Sequence, residues 1–316
     1  MKFSEIIGQE TVINILKHEF INGRNYQSYL FTGPEGVGKK NTAIALAQLI
    51  NCTRLPDTDD PDRLDSCGEC VSCRKISQLI HPDVEIITIE EKHKEILIEQ
   101  IRELQRKASL KPIEGRRKVY IIDDADSMNR DSANCLLKTL EEPNEDVVVI
   151  LLVRNLYGIL TTVRSRCRIM KLRTIKLSTI KEMLVKECGL EADKALFIAQ
   201  LSQGRMGLAK SYIEEEGAEK LLDMAARIMD DTVKMKKGEY PDYEKIFKLT
   251  DEVYSDRKSI MNMLNCLIVD IRSRFIKNPT TELKSKIDTV LNTQELISYN
   301  INAHTAISNM LIKLGN

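Results

Sequence analysis

The chain has 316 residues, which is enough for two or three domains at the usual ~100–200 residues per domain and excludes a single small module. Its 47 Lys and Arg residues balance 47 Asp and Glu residues, so no overall basic charge concentrates it on nucleic acid or anionic lipid by itself. With 42% hydrophobic and 30% charged residues and no apolar run of the ~18–20 residues that span a membrane, the composition is that of a folded protein.

Apolar, β-branched runs alternate with helical segments through the first half of the chain. The runs are residues 29–31, 84–87, 119–122 and 147–153. Continuous apolar strands separated by helices are typical of a parallel sheet with crossover helices, buried on both faces. The helix at 98–108 carries its apolar residues on one stripe, as such a crossover requires. The first half is therefore predicted to be an α/β domain.

A glycine-rich loop follows the first predicted strand and precedes a predicted helix. Gly33, Gly36 and Gly38 allow backbone N–H groups to converge on phosphate oxygens, and Lys39 would reach the β- and γ-phosphates. The next position, where a Ser or Thr hydroxyl would coordinate Mg²⁺, holds Lys40. An ammonium group donates hydrogen bonds and repels a metal cation. The sequence thus predicts a P-loop that could take ATP or ADP but holds Mg²⁺ poorly.

Four cysteines are grouped between the first two strands. Cys67, Cys70 and Cys73 follow C-x₂-C-x₂-C spacing, with Cys52 upstream. Four thiolates on short spacers suit a closed tetrahedral site, and the polar segment between them cannot pack a core, so we expect one structural zinc in a module over about 52–73. Unmetallated thiols and a redox C-x-x-C are the alternatives. The first residues lack the pattern of a signal peptide, so we expect a cytoplasmic protein with reduced cysteines.

Acidic residues end the third predicted strand. Asp123 and Asp124 follow its apolar run, where acids can orient a metal ion and an attacking water in a nucleotide site. The alternative, a solvated acidic turn, is weakened by the glycine-rich loop upstream. The tripeptide Ser165-Arg166-Cys167 follows the fourth strand and, taken alone, indicates only a surface arginine beside a half-buried cysteine.

Helical periodicity alone remains after a last short run at 168–172. It predicts a first domain over 1–170, a small all-α unit over 171–217 and longer helices over 218–316. In the small unit, Thr179 and Glu182 have the spacing of a capping box. Wide apolar helix faces in the last segment suit a helix bundle or an oligomerisation surface.

Six motifs, in chain order, resemble the AAA+ clamp-loader subunits. They are FSEIIGQ (3–9), QSYLFTGPEGVGK (27–39), the four-cysteine module (52–73), YIIDDAD (120–126), NCLLKTLEEP (134–143) and SRC (165–167). Within this family the likeness is closest to the delta-prime subunits of bacterial DNA polymerase III. The resemblance implies an α/β P-loop AAA+ domain with an inserted four-cysteine zinc module, a small all-α lid and a C-terminal all-α collar.

The resemblance also implies a function in DNA replication. Members form a hetero-pentameric ring of delta, delta-prime and motor ATPase subunits within the DNA-directed DNA polymerase (nucleotidyltransferase) holoenzyme, and the ring loads the sliding clamp onto primed DNA. The family's SRC arginine enters the neighbouring subunit's ATP site, so Arg166 is the expected trans-acting arginine finger. Such a finger stabilises charge on the transferring phosphate.

This sequence differs from the family's motor ATPase subunits at four positions that serve ATP hydrolysis. Those subunits carry Ser or Thr after the loop lysine, Glu in the acidic strand, a polar residue after the next strand and a lid arginine. Here the positions hold Lys40, Asp124, Val153 and Leu208, although Arg205 is near the last. The pattern favours a largely non-hydrolysing stator, a subunit without independent catalysis. The alternative is a catalytically active AAA+ motor ATPase.

Overall fold

The computed structural model describes residues 1–23, 26–214, 227–228, 257–299 and 301–315. The chain divides into two compact units. The first comprises Met1–Lys176 with Gly204–Gly207, and the second comprises Leu177–Gln203 with Leu208–Asn316. The predicted division between lid and collar at 217/218 lies outside the described residues and stays a prediction.

A five-stranded parallel sheet is the centre of the first unit. Its strands are β1 (Ser28–Thr32), β2 (Val84–Ile87), β3 (Lys118–Ile122), β4 (Val147–Val153) and β5 (Arg168–Lys171). They are arranged in the order β2-β3-β4-β1-β5, and every pairing is parallel. β1, β3 and β4 are buried along their whole length, as expected for strands covered on both faces. The predicted parallel α/β sheet is confirmed.

Helices cover both faces of this sheet. They are α1 (Glu10–Ile21), α2 (Lys39–Asn51), α3 (Val71–Ser77), α4 (Ile98–Ala108), α5 (Arg130–Glu141) and α6 (Thr161–Arg164). Because successive strand residues point to opposite faces, neighbours such as Leu30 and Phe31 join different cores. One core includes residues of α1 and α2, and the other includes residues of α4 and α5.

The described part of the second unit is helical. Its helices are α7 (Leu177–Cys188), α8 (Ala192–Ser202), α9 (Met206–Glu214), whose first two residues belong to the first unit, α10 (Arg257–Lys277), α11 (Thr281–Ser298) and α12 (Ala303–Gly315). No described helix is both long enough and apolar enough to cross a membrane.

Two local predictions in this unit are wrong. α7 begins at Leu177, so Thr179 lies inside the helix and cannot be its cap. Cys188 shares the helical spacing of the apolar Ile180 and Leu184, which predicts a core position, but it is exposed at the end of the same helix. The apolar face predicted on α10 is confirmed, because residues such as Leu264 and Ile271 are fully buried.

Asp83 connects the start of β2 to the loop that precedes β3. It lies just before β2, is 3% exposed, and its carboxylate accepts backbone N–H groups from Ile113 (2.8 Å), Glu114 (2.7 Å) and Gly115 (2.7 Å). Burial alone would raise the pKa of Asp83, but the three N–H donors outweigh burial and lower it below the ordinary value of 3.8. One carboxylate thus ties the loop before β3 to the start of β2.

We expect Asp83→Asn to lower the free energy of unfolding by about 2–4 kcal/mol at pH 7, because buried N–H donors lose a charged acceptor. The native pKa is depressed, so this stability is present above the ordinary pKa of 3.8 and is lost as pH falls through the native value. Urea midpoints of parent and variant from pH 7 down to pH 2 test this, with the exposed Asp57→Asn as control, and the difference between the two proteins should shrink as pH falls below 3.8. Equal midpoints for Asp83→Asn and the parent at pH 7 would contradict a stabilising role for these three hydrogen bonds.

Candidate functional site

The glycine-rich loop joins β1 to α2 at the carboxyl edge of the sheet. Gly36 and Gly38 have φ angles of +77° and +103°, which residues with a side chain rarely adopt, and Gly38 is the N-cap of α2. The loop therefore ends at the positive end of the α2 dipole, the usual setting for a bound phosphate.

Lys39, the first residue of α2, is bound within its own loop. It is 9% exposed, and its Nζ donates to the carbonyl oxygens of Gly33 (2.7 Å) and Pro34 (3.0 Å). Burial lowers the pKa of Lys39, although Asp124 and Asp123 act in the opposite direction. The lysine is thus next to the acids and is held by acceptors that a phosphate could replace.

Lys40 forms an ion pair with Asp123. Its Nζ lies 3.3 Å from Oδ2 of Asp123, the carboxylate expected to face a metal ion. Thr42 supplies no substitute ligand, because its buried hydroxyl donates to the carbonyl oxygen of Gly38 at 2.9 Å. These residues do not fit Mg²⁺, since an ammonium group occupies the place of the cation.

Arg154 is a site residue that sequence reasoning missed. Its guanidinium contacts Asp124 through Nε (3.1 Å) and Nη2 (3.3 Å), and its Nη1 lies 3.4 Å from Oε2 of Glu35 in the loop. The hydrogen bond to Asp124 raises the pKa of Arg154. Val153, the residue assigned to this position from the sequence, is fully buried at the end of β4. A charged residue directly after a buried strand was the available signal.

Strand order explains why these groups meet. β3, β4 and β1 are neighbours in the sheet, so the acids after β3, Arg154 after β4 and the loop after β1 share one edge. The two acids directly after β3 are paired with cations of the chain itself, Asp123 with Lys40 and Asp124 with Arg154. The arrangement is a glycine-rich loop beside two carboxylates that the chain's own cations already neutralise.

The four predicted zinc ligands also come together. The Sγ atoms of Cys52, Cys67, Cys70 and Cys73 all lie within 4.8 Å of one another. In the described part of the chain, these four side chains are the cluster that could hold a metal ion. Tetrahedral Zn²⁺ with bonds of about 2.3 Å requires sulfur atoms about 3.8 Å apart, which this cluster can reach with small adjustments. Backbone N–H groups of Cys67, Cys70 and Cys73 donate to sulfur atoms of the cluster at 3.2–3.4 Å. These thiols could hold a zinc ion.

Arg166 lies between α6 and β5, apart from this edge. Its Nη2 is 2.7 Å from Oε1 of Glu141, and its Nη1 donates to the carbonyl oxygen of Thr162 at 2.9 Å. The next residue, Cys167, faces the interior, and burial raises the pKa of its thiol to about 12. The backbone is thereby anchored while the arginine side chain remains 36% exposed.

Comparison with known proteins identifies the first unit. Residues 8–176 match the family model described as "DNA polymerase III, delta subunit". Over 165 residues the chain is 38% identical to DNA polymerase III subunit tau/gamma of Haemophilus influenzae, covering 52% of this chain and 23% of that protein. It is 35% identical over 173 residues to subunit gamma of Buchnera aphidicola, covering 55% and 45%. The matched regions thus span less than half of these relatives.

Among solved structures, this chain matches a DNA polymerase III gamma subunit-related protein from Thermotoga maritima. The identity is 16% and the TM-score 0.46, with 96% of this chain and 97% of that one covered. The Holliday junction branch migration motor RuvB of the same organism has 17% identity and a TM-score of 0.44, with 80% and 78% covered.

Proposed function

The chain belongs to the DNA polymerase III delta-subunit family, and from this premise we propose that it is a delta-prime-type subunit of the bacterial clamp loader. The family match covers more than half of the chain. In this role the protein acts in DNA replication as a largely non-hydrolysing stator. It helps to load the sliding clamp onto primed DNA and supplies Arg166 to the ATP site of a neighbouring motor subunit.

One observation carries the stator assignment. The ion pairs of Lys40 with Asp123 (3.3 Å) and of Arg154 with Asp124 (3.1 Å) engage the two carboxylates directly after β3. Phosphoryl transfer in P-loop ATPases requires Mg²⁺ between the phosphates and an acid at this edge. A site that carries its own cations there is poorly suited to hydrolysis, although its loop can still accept phosphate.

The remaining parts of the proposal follow from the family. The protein works in a hetero-pentameric ring with delta and motor ATPase subunits, in the bacterial cytoplasm at the replisome. The four-cysteine cluster binds one structural zinc, and the regions about 171–217 and 218–316 serve as lid and collar. The protein contacts the clamp and the DNA as part of the complex, which agrees with the balanced charge of the chain.

A catalytically active motor ATPase is the second candidate. It is favoured by the buried Lys39 in a complete glycine-rich loop and by Asp123 at the end of β3. Nucleotide binding without Mg²⁺ would fit the stator, whereas Mg²⁺-dependent turnover would fit the motor.

Nucleotide titrations of the purified chain with and without Mg²⁺ separate the two. We expect no tightening by Mg²⁺ and no turnover in the parent. Lys40→Ser removes the ammonium and adds a hydroxyl ligand, so Mg²⁺ should tighten its ATP binding by about tenfold, equivalent to ~1.4 kcal/mol. Lys40→Met removes the charge and adds no oxygen ligand while keeping a long unbranched side chain, so it is the matched control. ATP turnover by the parent at motor rates, abolished by Lys39→Ala, would contradict the stator.

A further inference from the structure

Glu141 is the charged partner of Arg166. It is the last residue of α5, and its Oε1 lies 2.7 Å from Nη2 of the arginine. On the other side, the carbonyl oxygen of Thr162 in α6 accepts from Nη1 at 2.9 Å. Acceptors on two helices therefore hold two nitrogens of one guanidinium group.

These contacts leave most of the N–H donors of the Arg166 guanidinium free to bind another group. The group has five N–H donors, and the two contacts take one each at Nη1 and Nη2. A third contact, to Oγ of Ser165 at 3.5 Å, is at the limit of hydrogen-bond distance. The Nε–H and the outer hydrogens can still make a bidentate contact with a phosphate, which is the strong mode of arginine recognition.

Space is present beside the arginine. Arg166 lines an open cavity of about 390 Å³, bordered also by Leu140 and Pro143 at the end of α5. Its side chain is 36% exposed although two acceptors hold it. The group is thus both restrained by its own subunit and reachable from outside.

We propose that Glu141 is a positioning residue for Arg166: it holds the guanidinium so that the unused N–H groups face a phosphate on a neighbouring subunit. This inference rests on the proposed role of Arg166 as a trans-acting finger. An unrestrained arginine has many rotamers, and ordering it beforehand removes an entropic cost from the reaction. Groups that stabilise a transition state act best when neighbouring hydrogen bonds fix their orientation.

Removing the charge of Glu141 distinguishes positioning from simple electrostatics, because the two explanations predict opposite changes in the rate of ATP hydrolysis. A carboxylate near the incoming phosphate repels it, so if charge alone mattered, Glu141→Gln would speed hydrolysis by the neighbour. Positioning predicts the opposite, because the amide holds the guanidinium more weakly. Glu141→Asp retains the charge but is one methylene too short for the 2.7 Å contact, so it should resemble Glu141→Gln.

The test is ATP titration of the reconstituted five-subunit complex with clamp and primed DNA. We expect Glu141→Gln to lower kcat about two- to fivefold, the range that an exposed ion pair supports, with KM unchanged. Glu142→Gln, the same charge change one residue further on, should have no effect. Combined with Arg166→Ala, Glu141→Gln should cause no additional loss.

The outcomes are distinct. Unchanged or faster hydrolysis with Glu141→Gln, while Arg166→Ala alone slows the complex, would overturn the positioning role and leave the proposed function intact. An additive loss in the double variant would overturn it too. If Arg166→Ala itself has no effect, the finger assignment fails, and the inference about Glu141 fails with it.

Discussion

Replacing Arg166 with alanine should lower ATP hydrolysis at the neighbouring motor site about 10³–10⁵-fold while the ring still assembles. The reason is that the guanidinium stabilises charge that develops on the transferring phosphate, and no residue of the motor subunit replaces it in the proposed arrangement. The side chain is partly exposed and lies at a surface cavity, so its removal should not affect folding.

The measurement is single-turnover hydrolysis in the reconstituted complex, with assembly followed by size-exclusion chromatography. Arg164→Ala, which removes the arginine at the end of α6 two residues before Arg166, is the matched control. Arg166→Lys keeps the charge but loses the planar fork, so we expect only partial recovery. Unaltered hydrolysis in the Arg166→Ala complex would exclude the finger.

Replacing Cys73 with serine should abolish zinc binding and destabilise the region around residues 52–73. Cys73 is fully buried in the cluster, and structural zinc sites of this kind supply about 10–16 kcal/mol of apparent binding free energy that is coupled to folding. The neighbouring Leu64 and Ile76 pack into the core that includes α1 and α2, so the loss should also loosen that core.

Elemental analysis should give close to one zinc per parent chain and none for Cys73→Ser. Limited proteolysis should cleave the variant within the module, and strong chelators should reproduce this in the parent. The exposed Cys188→Ser is the control, because its thiol is outside the cluster. A parent chain purified without metal and still resistant to protease would refute the zinc site.

Local patterns predicted the elements well. The bounds of β2, β4 and α4 coincide with the sequence predictions, because a buried strand or an amphipathic helix is recorded in consecutive residues. The start of α7 was missed, since the Thr179–Glu182 spacing fits a helix interior as well as a cap. Spacing within a short segment predicts which element forms better than where it begins.

Contacts between distant segments could not be predicted. Arg154 meets Asp124 across 30 positions in the sequence, and the contact depends on β3 and β4 being neighbours. The pairing of Glu141 with Arg166 likewise depends on how α5 and α6 pack. Glu141 does not stand out in the sequence, because a single glutamate is typical of any solvated surface, and Arg154 is marked only by its position directly after a buried strand.

The sequence by itself determined the α/β class of the first unit, the phosphate loop and the cysteine spacing, because apolar periodicity and covalent proximity are local properties. The loss of a metal ligand at Lys40 was also readable from its position after Lys39. Only the tertiary structure decided that Lys40 and Arg154 neutralise the two acids and that Glu141 restrains Arg166. Ion pairs form where folding brings opposite charges within about 4 Å, and strand order and helix packing set those distances.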